Sequence, residues 1–132
     1  MSMTMAEKIL ARAAGRESVH PGEFVTATID KFMCHEALAA VYANMKRIGF
    51  SSIKDPERLI VVLDHYAPAP TVRASEIHKT VRAAVSDLNV RHFYDTNAGV
   101  GHQIMVEKGH ILPGELVISS DSHTCMYGAL GA

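Results

Sequence analysis

The chain has 132 residues, 48% hydrophobic and 20% charged, which excludes collagen, coiled coil and an unfolded polymer. Its net charge of −1, from 13 basic and 14 acidic residues with no basic block, argues against nucleic acid or an anionic membrane as partner. No apolar run approaches the roughly 18 residues that span a bilayer, and the N-terminus lacks a signal-peptide core. The expectation is a soluble, cytoplasmic protein, residues 1–132 forming a single unit large enough to bury a core.

In chain order, Thr4-Met-Ala-Glu7 is a capping box that opens a short helix, and Gly15 is its natural stop. Pro21-Gly22 is a turn, and Glu23-Phe-Val-Thr-Ala-Thr-Ile-Asp30 reads as a strand. Leu38, Val41, Tyr42, Met45 and Ile48 recur at helical spacing before Gly49. Asp55-Pro56 turns the chain into Arg58-Leu-Ile-Val-Val-Leu63, the continuous apolar strand that a sheet covered on both faces requires. Pro68 and Pro70 keep the next residues extended. A helix then runs from about Thr71 with Val72, Ile77, Val81, Val85 and Leu88 on its buried face. Val90–Tyr94 is a short strand, followed by the loop Asp95–Gly101. A Pro113-Gly114 turn leads to the strand Glu115–Ser119, and the final Tyr127–Ala132 reads as a turn into a helix that is not completed. Strands alternating with helices predict an α/β fold with a largely parallel sheet and flanking helices.

In such sheets ligands bind beyond the carboxyl ends of the strands. Two strand ends carry polar clusters directly after an apolar run: Asp64-His65, and Asp121-Ser122-His123. His102 lies in a Gly-flanked turn between them. A carboxylate beside an imidazole orients it and favours its charged form, which suits proton transfer. Ser122 adds a hydroxyl, and a helix starting after His123 would favour a substrate carboxylate at its N-terminus. His and Asp are also good ligands for a divalent metal. Gly99-Val-Gly101 lacks the third glycine and the opening helix of a dinucleotide fingerprint, so it reads as a flexible loop. No GxSxG elbow is present. Cys34 and Cys125 lie far apart with no CxxC pattern and read as small buried hydrophobes, without a metal site of their own. His20, His78, His92 and His110 read as surface or loop residues, Met33 and Met45 as core, and Arg12 and Arg16 as an exposed helix face.

The closing run GVGHQIMVEKGHILPGELVISSDSHTCMYGALGA resembles the aconitase superfamily, with its Gly-x-x-His-Gln, Pro-Gly and Asp-Ser-His-Thr segments in order. VVLDHYAPAP resembles the family's Asp-His motif, and AEKILARAAGRESVHPGEFV the start of its dehydratase large subunits. The likeness is collinear over essentially the whole chain and strongest to the 3-isopropylmalate dehydratase and homoaconitase branch. It implies the first part of a three-layer α/β/α large-subunit fold. It also implies a hydro-lyase that isomerises a 2-hydroxy acid by dehydration and rehydration through a [4Fe–4S] cluster.

Carried over by position, Asp64 and His65 match the pair that protonates the departing hydroxyl. His102 matches the histidine of a second acid–base pair whose carboxylate lies outside these residues. Asp121 and His123 match contacts to the cluster-bound hydroxyl or water, Ser122 matches a substrate-carboxylate contact, and His35 stands where aconitases proper have a substrate-binding Gln. Cys34 and Cys125 match no cluster position, so the resemblance implies an N-terminal portion, cut after Asp-Ser-His-Thr, that holds no cluster alone and is inactive in isolation. Met126 stands where aconitases have Asn. The family's small swivel subunit, in a heterodimer or heterotetramer, is the implied partner. The implied substrate is a small hydroxy acid, 3-isopropylmalate (leucine synthesis) first, homocitrate-type and methylated malates next. Two other classes compete: a metal-dependent hydrolase ligated by Asp64, His65, Asp121 and His123, and a non-catalytic assembly remnant.

Overall fold

A computed structural model describes residues 2–132. The first helix, α1 (Met5–Ala14), starts at the Thr4–Glu7 capping box, both reciprocal hydrogen bonds being present, and ends on Gly15 in the left-handed conformation. The chain then runs without regular structure to β1 (Lys31–Cys34). The strand expected over residues 23–30 does not form. Its backbone groups find other partners: Thr28 N–H donates to the Ala13 carbonyl and Asp30 N–H to the Leu116 carbonyl. Phe24 is fully exposed, so the segment has no apolar face to bury. The strand sits one segment later because Met33 and Cys34 supply the buried run.

Helix α2 (Leu38–Arg47) and strand β2 (Leu59–Val62) follow, separated by a 3-10 turn at Pro56–Arg58. Every residue of β2 is buried, as its unbroken apolar run requires. Helix α3 (Val72–Asp87) is capped by the Thr71 hydroxyl accepting from Ala74 N–H. Its buried stripe is Ala74, His78, Val81 and Ala84, rotated from the expected one. Val72 is exposed, on the face of the first turn away from buried Ala74, and His78 is drawn inward by a buried carboxylate. Strand β3 (His92–Tyr94), helix α4 (Gly101–Glu107) and strand β4 (Val117–Ser119) complete the regular elements. The closing run Thr124–Leu130 is a 3-10 helix that stops at Gly131, not the start of an α-helix.

The four strands are all parallel, in the order β3-β2-β1-β4, with Met33 opposite both Ile60 and Ser119. Alternate residues of β2 enter different cores, as the pleat dictates. Ile60 and Val62 pack with Met33, Met105 and Tyr127 on the α4 side. Leu59, Val61 and Leu63 pack with Leu38, Val81 and Ala84 under α2 and α3. The result is the expected α/β sheet covered on both faces. No helix of the described residues is long and apolar enough to cross a membrane.

From β1 the chain moves outward through β2 to β3, then returns to the far side of β1 as β4. The loops leaving β1 and β4 therefore diverge, and the crevice between them is where open parallel sheets bind ligands.

Candidate functional site

At the end of β1 the chain presents His35 and Glu36; at the end of β2, Asp64 and His65; at the end of β4, Ser120 to His123. The first turn of α4 adds His102. The structure thus brings His35, Asp64, His65, His102, Asp121 and His123 to the predicted edge. Both expected Asp–His pairs are in contact, and Asp121 joins them into one network.

His65 lies between two carboxylates, with Nδ1 2.7 Å from Asp64 Oδ1 and Nε2 3.1 Å from Asp121 Oδ2. A neutral imidazole has one N–H, so both contacts are hydrogen bonds together only when the ring carries two protons. Asp64 is itself fixed from below by the N–H of Gly101, 2.6 Å from Oδ2. The glycine is required here: a Cβ at position 101 would stand 2.9 Å from that same oxygen. Gly101 is therefore not part of a flexible loop but the buried first residue of a helix. Nothing in the neighbouring residues signals this, because the constraint comes from another strand.

On its other side Asp121 meets His102, whose Nε2 lies 2.7 Å from Oδ1. Among the described residues, Asp121 is the carboxylate that faces His102. His102 Nδ1 is 2.6 Å from the hydroxyl of Tyr127. Burial, with Asp121 and Asp64 nearby, pushes the Tyr127 phenol up to about 12. When its O–H donates to Nδ1, the Nε2–H of His102 is left for Asp121. Asp121 also accepts from the backbone N–H of His123 at 2.7 Å, with His123 Nδ1 at 3.2 Å. The His102 side chain and this N–H hold the Asp121 carboxyl well below the usual range.

His35 stacks on His65, ring centroids 4.0 Å apart and planes 16° from parallel. Its Nε2 is 3.2 Å from the Ser120 carbonyl. The Glu36 carboxylate beside it raises its pKa against the opposing effect of burial. Ser122 is exposed, its Oγ 3.4 Å from His123 Nδ1. A helix does start after His123, as a seven-residue 3-10 run, and the His123 N–H itself is taken by Asp121.

Two residues of the cluster have no counterpart in the sequence reading, Glu36 and Tyr127, both buried. A Glu after Cys-His and a Tyr in a terminal turn carry no local signal; only the fold turns them inward. Two histidines read as surface residues, His78 and His110, are also buried, each because a polar partner waits inside: Glu36 for His78, Tyr94 for His110. Cys125, expected in the core, is exposed, because the 3-10 run turns Tyr127 inward instead.

Three sets of side chains place one ligand atom each within 4.8 Å of one another: His35, His65 and Asp121; His102, Asp121 and His123; Glu36, Asp64 and His65. No set among the described residues unites Asp64, His65, Asp121 and His123, the four ligands a hydrolase reading requires. A [4Fe–4S] cluster takes several thiolates. Cys34 is buried, its thiol pushed up by that burial, and Cys125 is exposed, so these two do not make that donor set. An apolar groove of about 460 Å³ lies under α2, lined by Phe32, Val41, Met45 and Ile53 among others, and shares no residue with the cluster. Enclosure and chemistry are in different places.

A parallel α/β sheet carries carboxylate-bridged imidazoles at its switch point, the place where such sheets bind ligands. The chain belongs to the aconitase family: the profile for that family (aconitate hydratase) matches residues 7–132. It is 46% identical to a probable 3-isopropylmalate dehydratase large subunit of Methanothermobacter thermautotrophicus, covering 100% of this chain and 32% of that protein. Similar proteins are the 3-isopropylmalate dehydratase large subunit 1 of Methanopyrus kandleri, 44% identical with coverage of 100% and 32%, and the large subunit of Aquifex aeolicus, 43% identical with 100% and 31%. The chain spans about a third of the length of the curated relatives it matches.

Proposed function

We propose that residues 1–132 form the N-terminal, acid–base portion of a hydro-lyase large subunit. The reaction is isomerisation of a 2-hydroxy acid of the 3-isopropylmalate type by dehydration and rehydration, in the cytoplasm. The observation that carries this reading is the Asp64–His65–Asp121–His102 network at the sheet's switch point.

Dehydration takes a proton from the carbon beside a carboxylate and expels hydroxide from the next carbon. Hydroxide leaves readily only if an acid protonates it as the C–O bond breaks. His65 suits that task. Asp64 fixes its Nδ1 at 2.7 Å, while Nε2–H has the longer bond, 3.1 Å to Asp121, and is the proton a substrate hydroxyl can take over. In the reverse direction the same edge takes a proton from water. His102, held between Tyr127 and Asp121, forms the second acid–base group. Asp121 and the exposed His123 orient the hydroxyl or water, and His35 and Ser122 bind the substrate's carboxylates.

The family reading includes a [4Fe–4S] cluster in the complete enzyme. The two cysteines here do not fit it, so no step is assigned to it. In this reading the small swivel subunit completes the site, and the isolated chain does not turn over. Homocitrate-type or methylated-malate substrates are the second choice within the same chemistry.

The test is a fusion in which residues 1–132 replace the matching segment of the Methanothermobacter thermautotrophicus large subunit. It is reconstituted anaerobically with iron, sulfide and the small subunit. Hydration of the unsaturated acid is expected, with His65→Ala lowering kcat by about 10²–10⁴-fold. An unchanged kcat in that variant, or turnover by the isolated 132 residues, overturns the reading.

A further inference from the structure

Glu36 is the most deeply buried carboxylate among the described residues, its side chain 3% exposed against 7% for Asp121 and 12% for Asp64. Its partners come from separate segments. Oε1 accepts from the backbone N–H of His65 at 3.1 Å and of Tyr66 at 3.0 Å, and lies 3.3 Å from His78 Nε2 on α3. Oε2 faces His35 Nδ1 at 3.6 Å. Burial pushes the carboxyl up, but the His35 side chain and the N–H groups of Tyr66, Glu36 itself and His65 outweigh it and hold it at about 2.

A core that merely needed filling at this point would be at least as stable with an apolar side chain, because a buried charge is costly to desolvate. What a carboxylate does and a hydrocarbon cannot is bind the N–H of His65 itself, and of the next residue, while drawing His35 toward it. His35 in turn covers one face of the His65 ring.

We infer that Glu36, backed by His78, is a positioning residue: it clamps the His65 backbone and the His35–His65 stack, so that Nε2 of His65 is presented to the substrate. The inference rests on the acid role proposed for His65. It also gives α3, which supplies no group to the site, a part in the chemistry through His78. In Glu36→Gln the amide oxygen takes the place of Oε1 and keeps the two backbone bonds, whereas Glu36→Ala releases both. The two substitutions therefore separate the clamp from the charge.

The first measurement is on the 132-residue chain itself and is independent of activity. Glu36→Ala is expected to speed hydrogen exchange at the His65 and Tyr66 amides at least about tenfold relative to β2, and Glu36→Gln to stay within about threefold of wild type. Unchanged protection in Glu36→Ala overturns the clamp. The second measurement uses the reconstituted fusion, normalised to folded protein by circular dichroism. Glu36→Ala is expected to lower kcat about 30- to 100-fold with KM within about threefold, Glu36→Gln recovering at least about tenfold of the loss. A raised KM at unchanged kcat, or a loss that only follows the folded fraction, overturns the positioning role. His65→Ala is the control: if it is silent, the acid reading fails and the exchange result alone decides the clamp. Should Glu36→Ala not fold, His78→Leu keeps the carboxylate but removes its brace. A kcat loss of more than about threefold then supports the inference, and none overturns it.

Discussion

Two groups of histidines in this chain differ in what surrounds them. At the carboxyl edge of the sheet, His35, His65, His102 and His123 face Glu36, Asp64 and Asp121. Against β3, His110 is buried beside the Tyr94 hydroxyl, 2.6 Å away, and meets the edge of the His92 ring at 4.7 Å. No carboxylate among the described residues pairs with His110. Burial, then His92 and Lys31, lower its pKa, while Glu36 raises that of His35. The same side chain holds its proton more tightly beside a buried carboxylate and less tightly when buried beside a phenol. The counter-charge decides, not the imidazole.

The largest effect that would break this contrast is loss of the shared carboxylate. Asp121→Ala removes the partner of three imidazoles at once, and is expected to lower kcat of the reconstituted fusion at least about 10²-fold. His110→Gln, assayed alongside, is expected to leave kcat within about threefold. An equal loss in both would dissolve the distinction.

Next is Gly101→Ala, whose Cβ collides with Asp64 Oδ2. Its expected cost is about 1–3 kcal/mol in urea unfolding, with kcat reduced about tenfold because Asp64 must move. A neutral outcome would show that Asp64 can move away from a Cβ at position 101 without loss.

His35 and His110 also act on stability with opposite sign as pH changes. A raised His35 pKa contributes stability that is fully present below its unfolded value near 6.5 and is lost as pH rises through the folded value. A lowered His110 pKa imposes a penalty at acid pH that is relieved as pH rises toward about 6.5. Glu36 adds stability that is present above about 4.5 and lost as pH falls toward about 2. Urea midpoints between about pH 5 and 8 check this: His35→Gln should remove a decline with rising pH, and His110→Gln a gain. Slopes changing in the same direction would contradict the assignment.

The smallest effect lies on the surface. Arg82 holds Asp95 through two bonds of 2.8 and 2.7 Å, yet both side chains are half exposed. Arg82→Ala is expected to cost no more than about 1 kcal/mol and to leave turnover unchanged. A larger loss would mean that charge pairing away from the crevice also matters.

Much of this protein is legible in its residues alone. The buried strand β2 follows from five consecutive apolar residues, because only a sheet covered on both faces hides such a run. The capping box of α1 and the Thr71 cap of α3 follow from side chains that satisfy backbone groups within one turn. Asp64, His65, Asp121 and His123 stand out because each polar cluster directly follows a strand. The segment 23–30 misleads because β-rich composition says nothing of whether a partner strand is available. What only the tertiary structure decides is which groups meet. Asp121 bridges His65 and His102, Gly101 supports Asp64, Tyr127 caps His102, and Glu36 reaches the His65 backbone from the neighbouring strand. Local residue chemistry sets what an element is, within a few positions along the chain. Pairing across the sheet depends on strand order and register, and those are set by how the whole core packs.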